Sequence, residues 1–133
     1  MGSIVTERLI KNAMKNKLKF PKPKKVKRST LKRKADKLFS LKIREGKVCF
    51  NCGSVKNIQC SHIVSRSYKN TRWDLDNAIP LCQGCHLYFT FRPLEWEQYI
   101  IKIRGASVLK RLKIKALNLD TNIDYEKIIA RLK

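Results

Sequence analysis

The chain has 133 residues, 43% of them apolar, with 31 Lys+Arg against 10 Asp+Glu and a formal charge of +21. That length fits one domain with an extension, built on a thin core, because small domains bury proportionally less of their surface. The charge points to a polyanion, most simply nucleic acid, whereas no stretch approaches the roughly 18 apolar residues of a membrane-spanning helix and Thr6, Glu7 and Arg8 interrupt the apolar residues near the start, against a secretory signal.

The expected setting is therefore intracellular and cytoplasmic, with no membrane partner. In that reducing compartment five cysteines favour metal over disulfides. The charge is unevenly spread. Residues 1–47 carry 17 Lys+Arg against 3 acids, net +14, while residues 48–92 carry 5 against 2, net +3.

In chain order, apolar residues at 5, 9, 10, 14 and 18 predict an amphipathic helix over residues 4–18. Pro21 and Pro23 break it and leave an extended basic linker. A second helix is predicted from a cap at Ser29 or Thr30 to a stop at Gly46. Leu31, Ala35, Leu38, Phe39 and Ile43 line one of its faces, and Lys32, Arg33, Lys34 and Lys37 the other. Short runs and turns follow. Residues 57–64 read as a strand with Ile58, Cys60 and His62 on one side, and residues 78–81 as a second short apolar run. Helices are predicted from Gln83 to about Phe91, from Pro93 to a stop at Gly105, over Ala106 to Leu117, and over Asp124 to Leu132. Their apolar stripes are read as core, and no internal repeat is visible. Residues 1–28 are thus a basic extension, and residues 29–133 a domain centred on residues 48–92.

Cys49-Phe50-Asn51-Cys52-Gly53 is a C-x2-C knuckle, and Cys82-Gln83-Gly84-Cys85 a second. Two residues between thiolates let both sulfurs of a turn face one ion. Two knuckles supply the four thiolates of a closed, tetrahedral structural zinc. A redox pair or simple burial are the competing readings. Cys60 lies outside both knuckles and is read as a small core residue.

The two histidines fall into an ordered constellation: knuckle, His62 at a strand end, Asp76-Asn77, second knuckle, His86. This order resembles the HNH nuclease family, whose signature is a histidine after a strand, a central asparagine, and a histidine or asparagine at a helix start. Cys60-Ser61-His62-Ile63-Val64-Ser65-Arg66, Thr71-Arg72-Trp73-Asp74-Leu75-Asp76-Asn77 and Leu81-Cys82-Gln83-Gly84-Cys85-His86 are similar to the phage Rap/NinG recombination endonuclease branch. The helix from Leu38-Phe39-Ser40 to Ile43-Arg44-Glu45-Gly46 is similar as well. The likeness spans about residues 30–117.

The resemblance implies an α+β fold, with a small ββα-metal (HNH) core stapled by a four-cysteine zinc site and surrounded by helices. It implies a metal-dependent endonuclease of phage origin, hydrolysing DNA phosphodiester bonds in the host cytoplasm on duplex or branched substrates such as Holliday junctions. His62 would be the general base, His86 would bind a catalytic Mg2+ or Mn2+, and Asn77 would hold the loop that orients His62. The family often has Asp immediately before the base. Here Ser61 stands there, so either His86, phosphate oxygens and water hold the ion, or Asp76 or Asp74 reaches in as a ligand. Arg66 and Arg72 would clamp phosphates, and Lys32 and Arg33 would contact the DNA backbone. A homodimer would give a junction-cutting enzyme its two active sites. The alternatives are a zinc-knuckle nucleic-acid-binding protein without catalysis, and a basic assembly protein.

Overall fold

The computed structural model describes residues 21–118 and 122–133, and the helix predicted over residues 4–18 lies outside them. At its centre, β1 (Ile58–His62) pairs antiparallel with β2 (Ala78–Cys82), in a register that sets Ile58 opposite Cys82 and His62 opposite Ala78. Side chains alternate across a strand. Cys60, His62, Ala78 and Pro80 therefore share one face, and Ser61, Ile79 and Leu81 the other.

The two faces feed two cores. Ala78 joins Ala35, Phe39, Ile43, Trp73, Tyr125, Ile129 and Leu132. On the opposite face Ile79 and Leu81 join Cys49, Ile63, Phe89, Ile100, Leu109 and Leu112. The first core is made by α1 (Arg28–Arg44), which packs on the sheet, and by the C-terminal helix α6 (Tyr125–Leu132), which packs on α1. The second takes α3 (Gln83–Thr90), α4 (Pro93–Arg104) and α5 (Ala106–Leu117).

The helix positions follow the apolar periodicity. In α1 the residues Ala35, Phe39 and Ile43 are buried at i, i+4 and i+8. Its start departs from the expected cap. The helix begins at Arg28 with Lys27 at the cap and no side-chain bond there. Its first turn is instead anchored through Arg28, whose Nη2 donates to the Ile123 carbonyl at 3.1 Å and whose guanidinium lies 4.8 Å over the Tyr125 ring. Pro93 opens α4, and Gly105 at φ +92, a conformation L side chains avoid, divides α4 from α5. Asp124 caps α6 by accepting from the Lys127 N–H at 3.1 Å.

The strand is shorter than residues 57–64, and its connection to β2 is not a plain loop. It contains the four-residue helix α2 (Lys69–Arg72) and a 3-10 turn (Leu75–Asn77). The architecture is α+β, with six α-helices among the described residues. None of those helices is long and apolar enough to cross a membrane.

Joining the C-terminal helix to α1 through one core makes it part of the folding unit. Ile129→Ala is expected to lower the unfolding free energy by about 2–5 kcal/mol, read by urea denaturation of the metal-loaded protein with Trp73 fluorescence as the probe. An unchanged midpoint would show that α6 is not integral to the fold.

Candidate active site and metal centre

The first knuckle is a tight turn. The Gly53 N–H donates to the Cys49 carbonyl and the Cys49 N–H to the Ser54 carbonyl, both at 2.9 Å, with Gly53 at φ +74. The Phe50 N–H donates to the Pro80 carbonyl at 3.0 Å, which lays the knuckle against β2. The second knuckle is the end of β2 and the first turn of α3. Cys82 is the helix cap, its Sγ accepting from the Cys85 N–H at 3.4 Å.

The ligand atoms of Cys49, Cys52, Cys82 and Cys85 all lie within 4.8 Å of one another, and the Sγ atoms of Cys52 and Cys82 are 3.6 Å apart. Sulfurs about 2.3 Å from a tetrahedral zinc stand about 3.8 Å from each other, so the set fits a structural metal such as zinc. The surroundings favour anionic sulfur at Cys49, while the Cys52 thiol is raised and burial pushes the Cys85 thiol up to about 12. Burial opposes ionisation of Cys49, yet the backbone N–H groups of Cys52, Cys82 and Asn51 overcome it and hold the thiol at about 6. Asn51 Nδ2 also donates to Cys85 Sγ at 3.3 Å. Buried beside these sulfurs, the Tyr99 hydroxyl has no hydrogen-bond partner among the described residues.

A groove of about 540 Å3 opens between α1 and the sheet, and both histidines line it. His62 ends β1. Its ring stacks on Phe39 of α1 at 5.4 Å, and its Nε2 lies 2.9 Å from the Arg72 carbonyl. A carbonyl only accepts, so Nε2 carries the proton and Nδ1 is the basic nitrogen. His86, in the first turn of α3, shows the opposite tautomer. Its Nδ1 donates to Gln59 Oε1 at 2.7 Å, which leaves Nε2 unprotonated. Burial lowers both pKa values. For His62 the charges of Arg66 and Arg72 add to the effect, while the Arg72 carbonyl and Asp36 oppose it.

Asn77 is wholly buried between the strands. Its Oδ1 accepts from the Val64 N–H at 2.7 Å, and its Nδ2 donates to the carbonyls of Val64 at 3.1 Å and Thr71 at 2.9 Å. One amide thus ties the exit of β1 to the helix that ends at Arg72.

The remaining sequence-predicted residues separate. Arg66 is exposed and lines the groove. Arg72 is not free to clamp phosphate as expected. It is buried, bidentate to Asp36 at 2.7 and 2.8 Å, and its Nη1 donates to the Arg66 carbonyl. Asp76 does not join His86. Its carboxylate takes Arg111 at 2.7 Å, while Asp74 takes Lys115 at 2.7 Å, and neither lines the groove. Ser61 is buried on the opposite face of the sheet. Arg33 is exposed on α1, in line with Lys37, Ser40 and Arg44, while Lys32 is half-buried.

Sequence reasoning missed Gln59, Asp36 and Arg44. Gln59 and Arg44 gave no signal, being ordinary polar residues in the sequence. Asp36 gave a weak one, as the sole acid within a run of lysines and arginines. No protein-family model matches the chain, and neither the curated proteins nor the solved structures offer a match.

Metal analysis of chelator-washed protein is expected to give one tightly bound ion per chain. Cys82→Ser should lose that ion and much of the thermal stability together, since structural sites couple binding to folding. A protein that stays folded and metal-free would rule the centre out.

Proposed function

We propose that this chain is a metal-dependent DNA endonuclease of the HNH, ββα-metal type, stapled by zinc on Cys49, Cys52, Cys82 and Cys85. The observation that carries this reading is the pair of imidazoles in one groove. Each has one ring nitrogen fixed by an internal acceptor and the other left basic, and Arg44 and Arg66 line the same groove. The strand–strand–helix order from β1 to α3 and the resemblance of the central motifs support it.

His62 is the general base in this reading. Its Nδ1 takes a proton from water, and the resulting hydroxide attacks phosphorus in line. The bond to the leaving sugar oxygen breaks, and that oxygen takes a proton from solvent. The ring can do this because burial keeps it neutral and the Arg72 carbonyl fixes its tautomer. When bound through His86 Nε2, phosphate oxygens and water, a Mg2+ or Mn2+ ion would offset charge on the phosphate and the leaving oxygen. Arg66 and Arg44 bring positive charge to the groove, and the exposed stripe of Arg33 and Lys37 extends it along α1. These cations, with Lys32 and the basic extension, hold the backbone without reading sequence. Branched recombination intermediates are the preferred substrate by the same resemblance, acted on by a homodimer inside a host cell.

A second reading, nucleic-acid binding without cleavage, has one observation in its favour. Among the described residues the only carboxylate lining the groove is that of Asp36, and it is occupied by Arg72 and Trp73. Cleavage assays on linear duplex, nicked duplex and four-way junction separate the two. His62→Ala is expected to slow cleavage by about 10²–10⁴-fold while zinc content and DNA affinity stay at wild-type values. His86→Ala should also be inactive, but partly restored by excess Mn2+, because a site short of one ligand refills by mass action. Wild-type cutting by His62→Ala would leave the binding reading in its place.

The pH profile offers an independent check. A base works deprotonated, and burial moves the His62 pKa below its ordinary 6.5. Activity should therefore persist as pH falls to that value, and the acid limb of kcat/KM should have its midpoint below it. A midpoint above 6.5 would contradict the buried, neutral ring.

A further inference from the structure

The acceptor that sets the His62 tautomer is a backbone carbonyl on a long inter-strand connection, so something must hold that carbonyl still. It belongs to the peptide joining Arg72 to Trp73. The side chains on both sides of that peptide converge on one carboxylate. Asp36 Oδ1 accepts from Arg72 Nε at 2.8 Å and from Trp73 Nε1 at 2.9 Å, and Asp36 Oδ2 accepts from Arg72 Nη2 at 2.7 Å. The Arg72 guanidinium reaches back as well, donating to the Arg66 carbonyl at 3.0 Å. The peptide cannot rotate without breaking charge-assisted bonds at a site where Arg72 and Trp73 are both buried.

The same helix fixes the other half of the geometry. Phe39, three residues after Asp36, stacks on the His62 ring at an interplanar angle of 28°. One turn of α1 thus sets the plane of the ring through Phe39 and the position of its proton acceptor through Asp36. Asp36 makes no direct bond to His62.

We propose that Asp36 is a positioning residue for His62, holding the Arg72–Trp73 peptide so that the imidazole carries its proton on Nε2 and presents Nδ1 to the groove. The role in cleavage rests on reading His62 as the general base; the role in fixing the tautomer does not. Outer partners of metal-bound histidines change activity by about 10–100-fold, and an effect of that order is expected here.

The test uses full-length, zinc-loaded protein labelled with 15N in histidine, and long-range 1H–15N correlations that distinguish the two neutral tautomers. Wild-type His62 is expected to be wholly Nε2-protonated. Asp36→Asn keeps the size of the side chain but sets an amide N–H against the guanidinium, and it should bring the Nδ1-protonated form of His62 into view. His86, held by Gln59, should not change and serves as the internal control. Arg72→Lys keeps the charge but loses the fork, and it should have the same effect on His62; it decides the question if Asp36→Asn does not fold. On duplex DNA, both variants should lose about 10–100-fold in kcat with KM little changed. A folded variant whose His62 stays wholly Nε2-protonated overturns the proposal. A tautomer shift in a protein that never cuts DNA would uphold the positioning and sink the nuclease reading.

Discussion

Four sulfur atoms within 4.8 Å of one another decide where the rest of this protein can be. One pair precedes β1, and the other straddles the junction of β2 and α3. A metal closed on them would fix both ends of the connecting chain, and with them the register of a sheet too short to be stable alone. The constraint reaches the groove directly. Cys82 is both a member of the cluster and the cap of α3, and His86 follows Cys85 in that first turn. The second imidazole therefore sits on the same helical turn as the cluster, with its Nδ1 held by Gln59. For a chain of net charge +21 with two small cores, such a staple would supply what apolar burial alone would not.

Asn77 works at the opposite end of the sheet. The connection from β1 to β2 is long, and ordering it costs chain entropy. One wholly buried amide offsets part of that cost by satisfying three backbone groups that would otherwise be left unpaired. The result is a connection rigid enough for its carbonyls to act as fixed partners of side chains. His62 and the Arg72 carbonyl are ten residues apart in sequence, yet they meet at 2.9 Å because the loop between them has no freedom to open.

Much of this was legible in the sequence. The helices of the second half and the burial stripe of α1 follow directly from apolar period and from Pro93, Gly105 and Asp124. The paired knuckles gave the cysteine cluster, because C-x2-C spacing is a local geometric requirement. Three things were not legible. The start of α1 is set by Arg28 meeting Ile123 and Tyr125, partners at the far end of the chain that no local cap signal reveals. Arg72 reads as a surface cation until α1 supplies Asp36. Asp76 reads as a candidate metal ligand because Ser61 replaces the carboxylate expected before the base, but a 3-10 turn directs it to Arg111 instead. In each case charge was visible and its partner was not, since contacts between distant segments leave no periodic trace.

Pro80 has a further consequence, for how copies of this chain behave when crowded. A two-stranded sheet has two free edges, and a free edge is a template on which another chain can add a strand. At Pro80 the β2 edge offers no N–H, and its carbonyl already receives the Phe50 N–H of the first knuckle. The knuckle therefore covers the edge it is tied to. A strongly basic protein gathers at high local concentration along any polyanion it binds, and there an open strand edge would invite aggregation. Here the cysteine turn tied to Pro80 also blocks β2 from strand exchange between neighbours.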